Sequence, residues 1–263
     1  MTPSTPEPRE VGGHALVVTD LHWGVGGLKI VDDVSLTIDT GEFVSVIGPN
    51  GAGKTSLINL ISGVYAPRSG TVSLLGRDVT ARRPAERTRL GLGRTFQTSS
   101  LFPGLTVHEN VRIAAQAALG GSLSIVATPR DGDVAHDKAR TALGRVGLEE
   151  RSHERAADLS HGDKRKLELA MVMAADPAVL LLDEPTAGVS AEDTGPLVEL
   201  IQRLHQAGTT IVMVEHRREV VVEVSDRIAV MHEGGLLTQG TPEAVMADAT
   251  VRSAYLGGRH ESA

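Results

Sequence analysis

A glycine-rich turn of eight residues constrains this chain more than any other feature of its sequence. Residues 48–55 read GPNGAGKT and satisfy the pattern G-x-x-x-x-G-K-[ST]. The β-rich run FVSVI at Phe43–Ile47 precedes the turn, and apolar residues at helical spacing follow it until Gly63. Strand, glycine-rich loop and helix in this order predict a phosphate-binding loop in an α/β fold.

The residue types of this loop suit a chain of phosphates. Glycines let backbone N–H groups close around phosphate oxygens, and the start of the next helix adds a favourable dipole. Lys54 offers a positive charge to the β and γ phosphates, and Thr55 (or Ser56) offers a hydroxyl to Mg²⁺. The predicted phosphate-binding residues are Gly48, Pro49, Asn50, Gly51, Ala52, Gly53, Lys54, Thr55 and Ser56.

Two adjacent carboxylates end a second apolar run. Residues 179–185 read VLLLDEP, which is typical of a strand buried on both faces of a parallel sheet. Side chains alternate at a strand end, so Asp183 and Glu184 cannot have the same role. We expect Asp183 to bind Mg²⁺ and Glu184 to face the water that attacks the γ phosphate. Alone, the pattern more often marks a strand and an acidic turn; the phosphate loop favours the functional interpretation.

A segment of different character lies between these motifs. Residues 98–155 are rich in alanine, and 107–119 and 135–146 repeat apolar residues at helical spacing, which predicts a helical insertion. LSHGD at 159–163 then opens another helical pattern with Ser160 as a candidate N-cap. A further buried strand, Thr210–Val214, is followed by His216.

Composition restricts the class of protein. The chain has 263 residues and a formal charge of −7, which argues against a nucleic-acid partner. It has no cysteine, which excludes disulfides, thiolate zinc sites and cysteine nucleophiles. No run of about eighteen apolar residues occurs, so any membrane role is expected to come through a partner. Residues 1–12 carry no signal-peptide pattern and are predicted to be a disordered tail.

These parts in this order resemble the nucleotide-binding subunits of ABC transporters, over residues 21–257. By that resemblance GPNGAGKT is the Walker A loop, Gln97 the Q-loop glutamine, LSHGD the signature, VLLLDE the Walker B strand and His216 the switch histidine. RTFQ at 94–97, LFPGLTVHENV at 101–111 and AYLG at 254–257 are similar to the ATPases of branched-chain amino-acid importers or their urea-type relatives.

The resemblance implies an architecture. The fold is expected to be α/β, a P-loop (RecA-like) ABC ATPase core with an N-terminal antiparallel β subdomain and an inserted helical subdomain at about 98–172. The nucleotide-binding domain is expected at 13–257, between tails at 1–12 and 258–263.

The resemblance also implies a mechanism. Two subunits would meet head to tail, so Ser160 and Gly162 would contact the partner's ATP. Catalysis would use Lys54, Gln97, Glu184 and His216, and Mg²⁺ would be held by Thr55, Gln97 and Asp183. The implied partners are a second ABC ATPase, identical or homologous, permease subunits meeting residues near 97–110 and, indirectly, a solute-binding protein. The implied place is the cytoplasmic face of the cell membrane.

The sequence departs from the family pattern at three positions. Val25 occupies the place of the aromatic residue that stacks on adenine, with Trp23 as an alternative contact; Ser190 replaces a common aspartate, and Arg217 an acidic residue. Two other functions remain open, the ATPase of an exporter and a soluble ABC ATPase outside transport. A degenerate subunit that only binds ATP is disfavoured because Lys54, Asp183, Glu184, Gln97 and His216 are all present.

Overall fold

The computed structural model describes residues 13–95, 101–120 and 133–256. Its strands are β1 (His14–Val25), β2 (Leu28–Asp39), β3 (Phe43–Ile47), β4 (Ser69–Leu74), β5 (Arg77–Asp78), β6 (Leu92–Arg94), β7 (Val179–Asp183), β8 (Thr210–Val214), β9 (Arg227–His232) and β10 (Gly235–Gly240). Its α-helices are α1 (Lys54–Ile61), α2 (Pro84–Arg89), α3 (Val107–Ala118), α4 (Val134–Val146), α5 (His161–Met173), α6 (Ala191–Gln206), α7 (Arg218–Val224), α8 (Pro242–Ala247) and α9 (Ala249–Leu256). Short 3₁₀ turns lie at Glu149–Arg151 and Ala156–Asp158.

A six-stranded sheet in the order β10-β9-β3-β8-β7-β6 forms the centre. Every neighbouring pair from β9 to β6 is parallel, and only β10 runs antiparallel to β9. The carboxyl ends of β3, β8, β7 and β6 therefore lie at one edge of the sheet. Ligands of open parallel sheets bind at this edge.

Alternate residues of the central strands point into two separate cores. In β7, Leu180 and Leu182 face one apolar cluster, and Val179 and Leu181 face the other. The residues of β3 and β8 divide in the same way. A strand buried on both faces has no need of polar alternation, which is why these strands read as continuous apolar runs.

The second core is closed by a four-stranded antiparallel sheet in the order β2-β1-β4-β5, together with α1. A backbone hydrogen bond from Asp32 N to Gly234 O, 2.9 Å, joins β2 to the turn between β9 and β10. This sheet brings the β1–β2 hairpin beside the loop that follows β3.

Helices α3, α4 and α5 pack together through small side chains on the other core. Ala115, Ala139, Ala142 and Ala170 are buried among them. The first turn of α3 is closed by Thr106, which accepts from Glu109 N at 3.1 Å while Glu109 accepts from Thr106 N at 2.8 Å. The alanine-rich composition of this segment thus permits close helix packing.

A buried arginine holds the carboxyl end of α1. Arg87 is 1% exposed, and its Nη1 donates to the carbonyls of Leu60 and Ile61 at 2.8 and 2.6 Å. Helix ends leave carbonyl oxygens without intrahelical partners. Arg87 supplies donors at that end and so fixes the helix that begins with Lys54.

The structure agrees with the predicted α/β architecture: a mainly parallel central sheet with the glycine-rich loop after β3, an antiparallel β subdomain, and helices inserted between β6 and β7. The subdomain limits at 98–172 and 13–257 stay predictions, and the tails at 1–12 and 258–263 lie outside the described residues. Within the described ranges, no helix is long and apolar enough to span a bilayer.

Candidate active site

The loop after β3 has a backbone that requires glycine. Gly51 and Gly53 have φ of 83° and 96°, in the left-handed region. A Cβ on Gly53 would lie 2.4 Å from the carbonyl oxygen of Ile30, and one on Gly48 would lie 2.2 Å from that of Met231. Strands β2 and β9, one from each sheet, therefore contact the loop closely. A side chain at Gly48 or Gly53 would displace the loop.

Lys54 is folded back over this loop. It is 5% exposed, and its Nζ donates to Gly48 O at 2.8 Å and Pro49 O at 2.9 Å. Desolvation lowers the pKa of Lys54, and the nearby charges of Glu184 and Asp183 oppose that effect. Thr55 and Ser56 follow in the first turn of α1 and are half-buried. Phosphate oxygens could replace the two carbonyls as acceptors for the ammonium group.

The two carboxylates and the histidine meet at the carboxyl edge of the sheet. Asp183 ends β7, and β8, which leads to His216, lies between β7 and β3. His216 Nε2 lies 2.8 Å from Glu184 Oε1, within hydrogen-bond distance. Glu184 has φ of 49°, and its N–H donates to Val214 O at 2.8 Å. The structure thus brings together two residues that are distant in sequence and that were both expected to be catalytic.

Asp183 is 1% exposed and accepts from Arg94 Nη2 through Oδ2 at 3.4 Å. Its Oδ1 is buried and has no hydrogen-bond partner among the described residues. Burial raises the pKa of Asp183, the charge of Arg94 opposes this, and Glu184 adds to it. Arg94 also donates to Ser62 Oγ at 2.7 Å, so it joins the end of α1 to the carboxylate. Sequence reasoning gave Arg94 no role.

Glu215 was missed by sequence reasoning as well. Its carboxylate is 3% exposed and accepts from Thr186 Oγ1 at 2.8 Å and from the N–H of His216 at 2.8 Å. It therefore ties the turn after Glu184 to the start of the histidine loop. The available signal was a carboxylate directly after a buried strand and directly before His216.

Ser160, which is exposed, and Gly162, which is buried, lie at the start of α5. Ser160 is the N-cap and accepts from Asp163 N at 3.1 Å, as predicted. A Cβ on Gly162 would lie 2.7 Å from Asp193 Cγ in the first turn of α6. Among the described residues, neither one hydrogen-bonds to the phosphate loop.

The two other sequence departures converge on the first turn of α6. Ser190 is its N-cap and accepts from Asp193 N at 3.1 Å. Arg217 Nη1 donates to Thr194 Oγ1 at 2.8 Å in that same turn. Gln97 lies outside the described residues, so its predicted catalytic and metal-binding roles stay predictions.

The two side chains expected near adenine, Val25 and Trp23, lie in different surroundings. Val25, at the tip of the β1–β2 hairpin, is 59% exposed. Trp23 is half-buried and stacks on Tyr65 with ring centroids 4.4 Å apart and planes 6° apart. One face of the indole is therefore covered by Tyr65, which sequence reasoning did not single out.

Comparison with known proteins decides the family. Residues 31–187 match the family model described as ABC transporter, which is more than half of the chain. The chain belongs to the ABC transporter family. Membership makes this ABC subunit an ATPase that serves a transporter, as its motifs predicted.

Named relatives extend the match to most of the ABC subunit. It is 41% identical over 248 residues to the high-affinity branched-chain amino acid transport ATP-binding protein LivG of Salmonella typhimurium, covering 92% of this chain and 97% of the relative. It is 36% identical to the corresponding protein BraF of Pseudomonas aeruginosa, with the same coverage. Residues 236–261 match a second model, the branched-chain amino acid ATP-binding cassette transporter. The predicted resemblance is confirmed.

A solved structure confirms the predicted fold class of the ABC subunit, a P-loop ABC ATPase core. An ATP-binding cassette of an ABC transporter, solved in its ADP conformation, superposes with a TM-score of 0.83 and 27% identity. The match covers 94% of this chain and all of that chain.

Adenine recognition by the ABC subunit is a first testable point. Val25→Tyr is expected to raise ATP affinity by roughly five- to a hundredfold, because stacking on a base is worth about 1–3 kcal/mol. Trp23→Ala is expected to change ATP affinity little, since Tyr65 already occupies one indole face. The wild type is expected to prefer ATP over GTP only weakly. Titration of both nucleotides measures these affinities.

Leu119→Tyr serves as the control, since it adds an aromatic ring at an exposed position at the end of α3. A sharp loss of ATP affinity in Trp23→Ala would instead assign the stack to Trp23. Strong ATP selectivity that survives Trp23→Ala would mean that another group reads the base.

Proposed function

We propose that this subunit hydrolyses ATP to power the uptake of branched-chain amino acids, at the cytoplasmic face of the membrane. The observation that carries the hydrolytic part is the 2.8 Å contact between Glu184 and His216 at the sheet edge shared with the phosphate loop. The substrate class is supported by the names of LivG and BraF and by the match of residues 236–261. These relatives favour import over the exporter and non-transport alternatives.

The residues around Asp183 fit a magnesium ion. Its Oδ1 is buried without a hydrogen-bond partner in the described part of the chain, and carboxylate and hydroxyl oxygens are ligands that Mg²⁺ accepts. We assign the metal to Thr55, Gln97 and Asp183. The ion would neutralise charge on the β and γ phosphates. Arg94 donates to the other carboxylate oxygen, Oδ2, and within the described residues no donor occupies Oδ1.

ATP would bind to the loop formed by residues 48–56. Backbone N–H groups would surround the phosphates, and Lys54 would exchange its two carbonyl acceptors for phosphate oxygens. The lysine is already desolvated, so this exchange costs little additional burial. Val25 lies at the hairpin beside the loop, where the base would be held.

Hydrolysis would depend on Glu184 and His216. Glu184 would orient the attacking water and accept its proton, while His216 would hydrogen-bond to the γ phosphate. Their mutual contact supports a shared site, since one hydrogen bond holds both side chains at the same place. Glu215 anchors the backbone of His216.

The site is completed by a second ABC ATPase, identical or homologous. Ser160 is exposed at the start of α5, where the first backbone N–H groups have no intrahelical partners. The start of a helix favours an anion. Ser160 and Gly162 would therefore contact the γ phosphate of the ATP bound to the partner.

Permease subunits would dock beside α3. A mainly apolar groove of about 380 Å³ lies between α2, β6, α3 and α5, with Ala114, Ala118, Met171 and Val172 in its walls. Phe102, at the start of the same segment, is 47% exposed. Gln97 would connect this surface to the γ phosphate, and a solute-binding protein would act only through the permease. No nucleic acid is involved in this proposal.

Deleting the subunit from its host tests the substrate class. Uptake of radiolabelled leucine, isoleucine and valine is expected to fall to background and to return with the wild-type subunit but not with Lys54→Ala. Uptake of an unrelated sugar serves as the control. Unchanged uptake of all three amino acids in the deletion strain would contradict the proposal.

A further inference from the structure

The first turn of α5 contains a side-chain carboxylate, that of Asp163. Asp163 Oδ2 accepts from Arg151 Nη1 at 2.5 Å and from Ser160 Oγ at 3.0 Å. Asp163 Oδ1 accepts from Lys166 Nζ at 2.9 Å. Three donors therefore converge on one carboxylate in the turn that is proposed to meet the partner's ATP.

This carboxylate is ionised at neutral pH. Burial alone would raise the pKa of Asp163, but hydrogen bonds from Lys166 and Ser160 and the charges of Lys166 and Arg151 lower it. The side chain of Asp163 is 18% exposed, so water screens its charge only in part. A fixed negative charge thus lies one turn from Ser160, where a γ phosphate would arrive.

Two effects of opposite sign act on that phosphate. The N–H groups at the helix start attract it, and a bare Asp163 would repel it. Arg151 and Lys166 remove the repulsion. Arg151 comes from the 3₁₀ turn Glu149–Arg151, outside α5, so its position depends on how this turn packs against α5.

We propose that Arg151 is a positioning residue of the composite ATP site, which neutralises Asp163 together with Lys166 and thereby lets the start of α5 accept the partner's γ phosphate. This inference rests on the proposed head-to-tail dimer. Arg151 also pairs with Glu154, at 2.6 Å, which orients its guanidinium.

ATP-dependent dimerisation tests the proposal without turnover. In a Glu184→Gln background with saturating ATP, sedimentation velocity gives the dimer dissociation constant. Arg151→Gln is expected to weaken the dimer by about tenfold, because a unit charge about 10 Å from another in a partly screened site changes an equilibrium by that order. Adding Asp163→Asn to Arg151→Gln is expected to restore the constant to within about twofold. High salt is expected to reduce the Arg151→Gln defect.

Two controls separate charge from structure. Arg145→Gln removes another arginine ion pair, with Asp176 at 3.3 Å, and is expected to leave the dimer unchanged. The melting temperature of the double variant is expected to stay near that of Arg151→Gln, although its dimerisation recovers. A purely structural role of Arg151 would instead change stability and dimerisation together. A double variant as weak as Arg151→Gln, or an Arg151→Gln dimer as strong as the parent, would overturn the proposal.

Ser160→Arg distinguishes failure of this inference from failure of the dimer itself. One outcome is that Ser160→Arg abolishes dimerisation while Asp163→Asn fails to restore the dimer dissociation constant of Arg151→Gln. In that case only the role of Arg151 is wrong. If Ser160→Arg dimerises like the parent, the composite site is wrong, and the inference falls with it.

Discussion

Glu184→Gln is expected to bind ATP normally and to lose turnover by at least about a hundredfold. The amide can still hydrogen-bond to His216, but it cannot accept a proton from the attacking water. Steady-state phosphate release measures turnover, and equilibrium titration with a fluorescent ATP analogue measures binding.

The backbone makes glutamine the informative replacement. Glu184 has φ of 49°, a conformation that side chains adopt at a cost, and glutamine bears the same cost as glutamate. Any loss of ATP turnover in Glu184→Gln therefore comes from the changed side-chain chemistry and not from relaxation of the backbone turn. Glu192→Gln, at an exposed position in the first turn of α6, is the matched control and should have wild-type turnover. Near wild-type turnover in Glu184→Gln would remove this residue from the mechanism.

Ser160→Arg is expected to abolish ATPase activity while leaving nucleotide binding by the monomer intact. The variant loses the cap on α5 and places a long side chain on the surface proposed to meet the partner's ATP. Loss of an N-cap costs only about 1 kcal/mol, which does not unfold a domain of this size. The activity loss would therefore come from the interface.

Thr241→Arg removes a comparable exposed cap, that of α8, and is expected to keep its activity. The specific activity of the wild type should rise with protein concentration as dimers form. Full activity in Ser160→Arg, together with activity that does not depend on concentration, would contradict the composite site.

Local sequence signals predicted the parts of the site that depend on one segment. The glycine positions of the phosphate loop follow from backbone φ values that few other residues adopt, so a spacing pattern identifies them. The bounds of β3 and β8 follow from continuous apolar runs, and the cap at Ser160 follows from the helical pattern after it. Each of these is fixed by neighbours along the chain.

Contacts between segments could not be predicted from such signals. The pairing of Glu184 with His216 depends on β8 lying between β3 and β7, and no local window determines strand order. The stack of Trp23 on Tyr65 joins β1 to the loop between α1 and β4, across 41 intervening residues. Arg94 reaches Asp183 only because β6 pairs with β7. These contacts arise from tertiary packing.

The central claim, that each ATP is hydrolysed between two subunits, is tested most directly by mixing two inactive variants. In a dimer of one Glu184→Gln and one Ser160→Arg subunit, one site combines an intact Glu184 with an intact Ser160, and the other site lacks both. The account predicts that ATPase activity returns on mixing, toward about a quarter of the wild-type value for independent sites and random pairing. A mixture that stays inactive, although both variants fold and bind ATP, would contradict it.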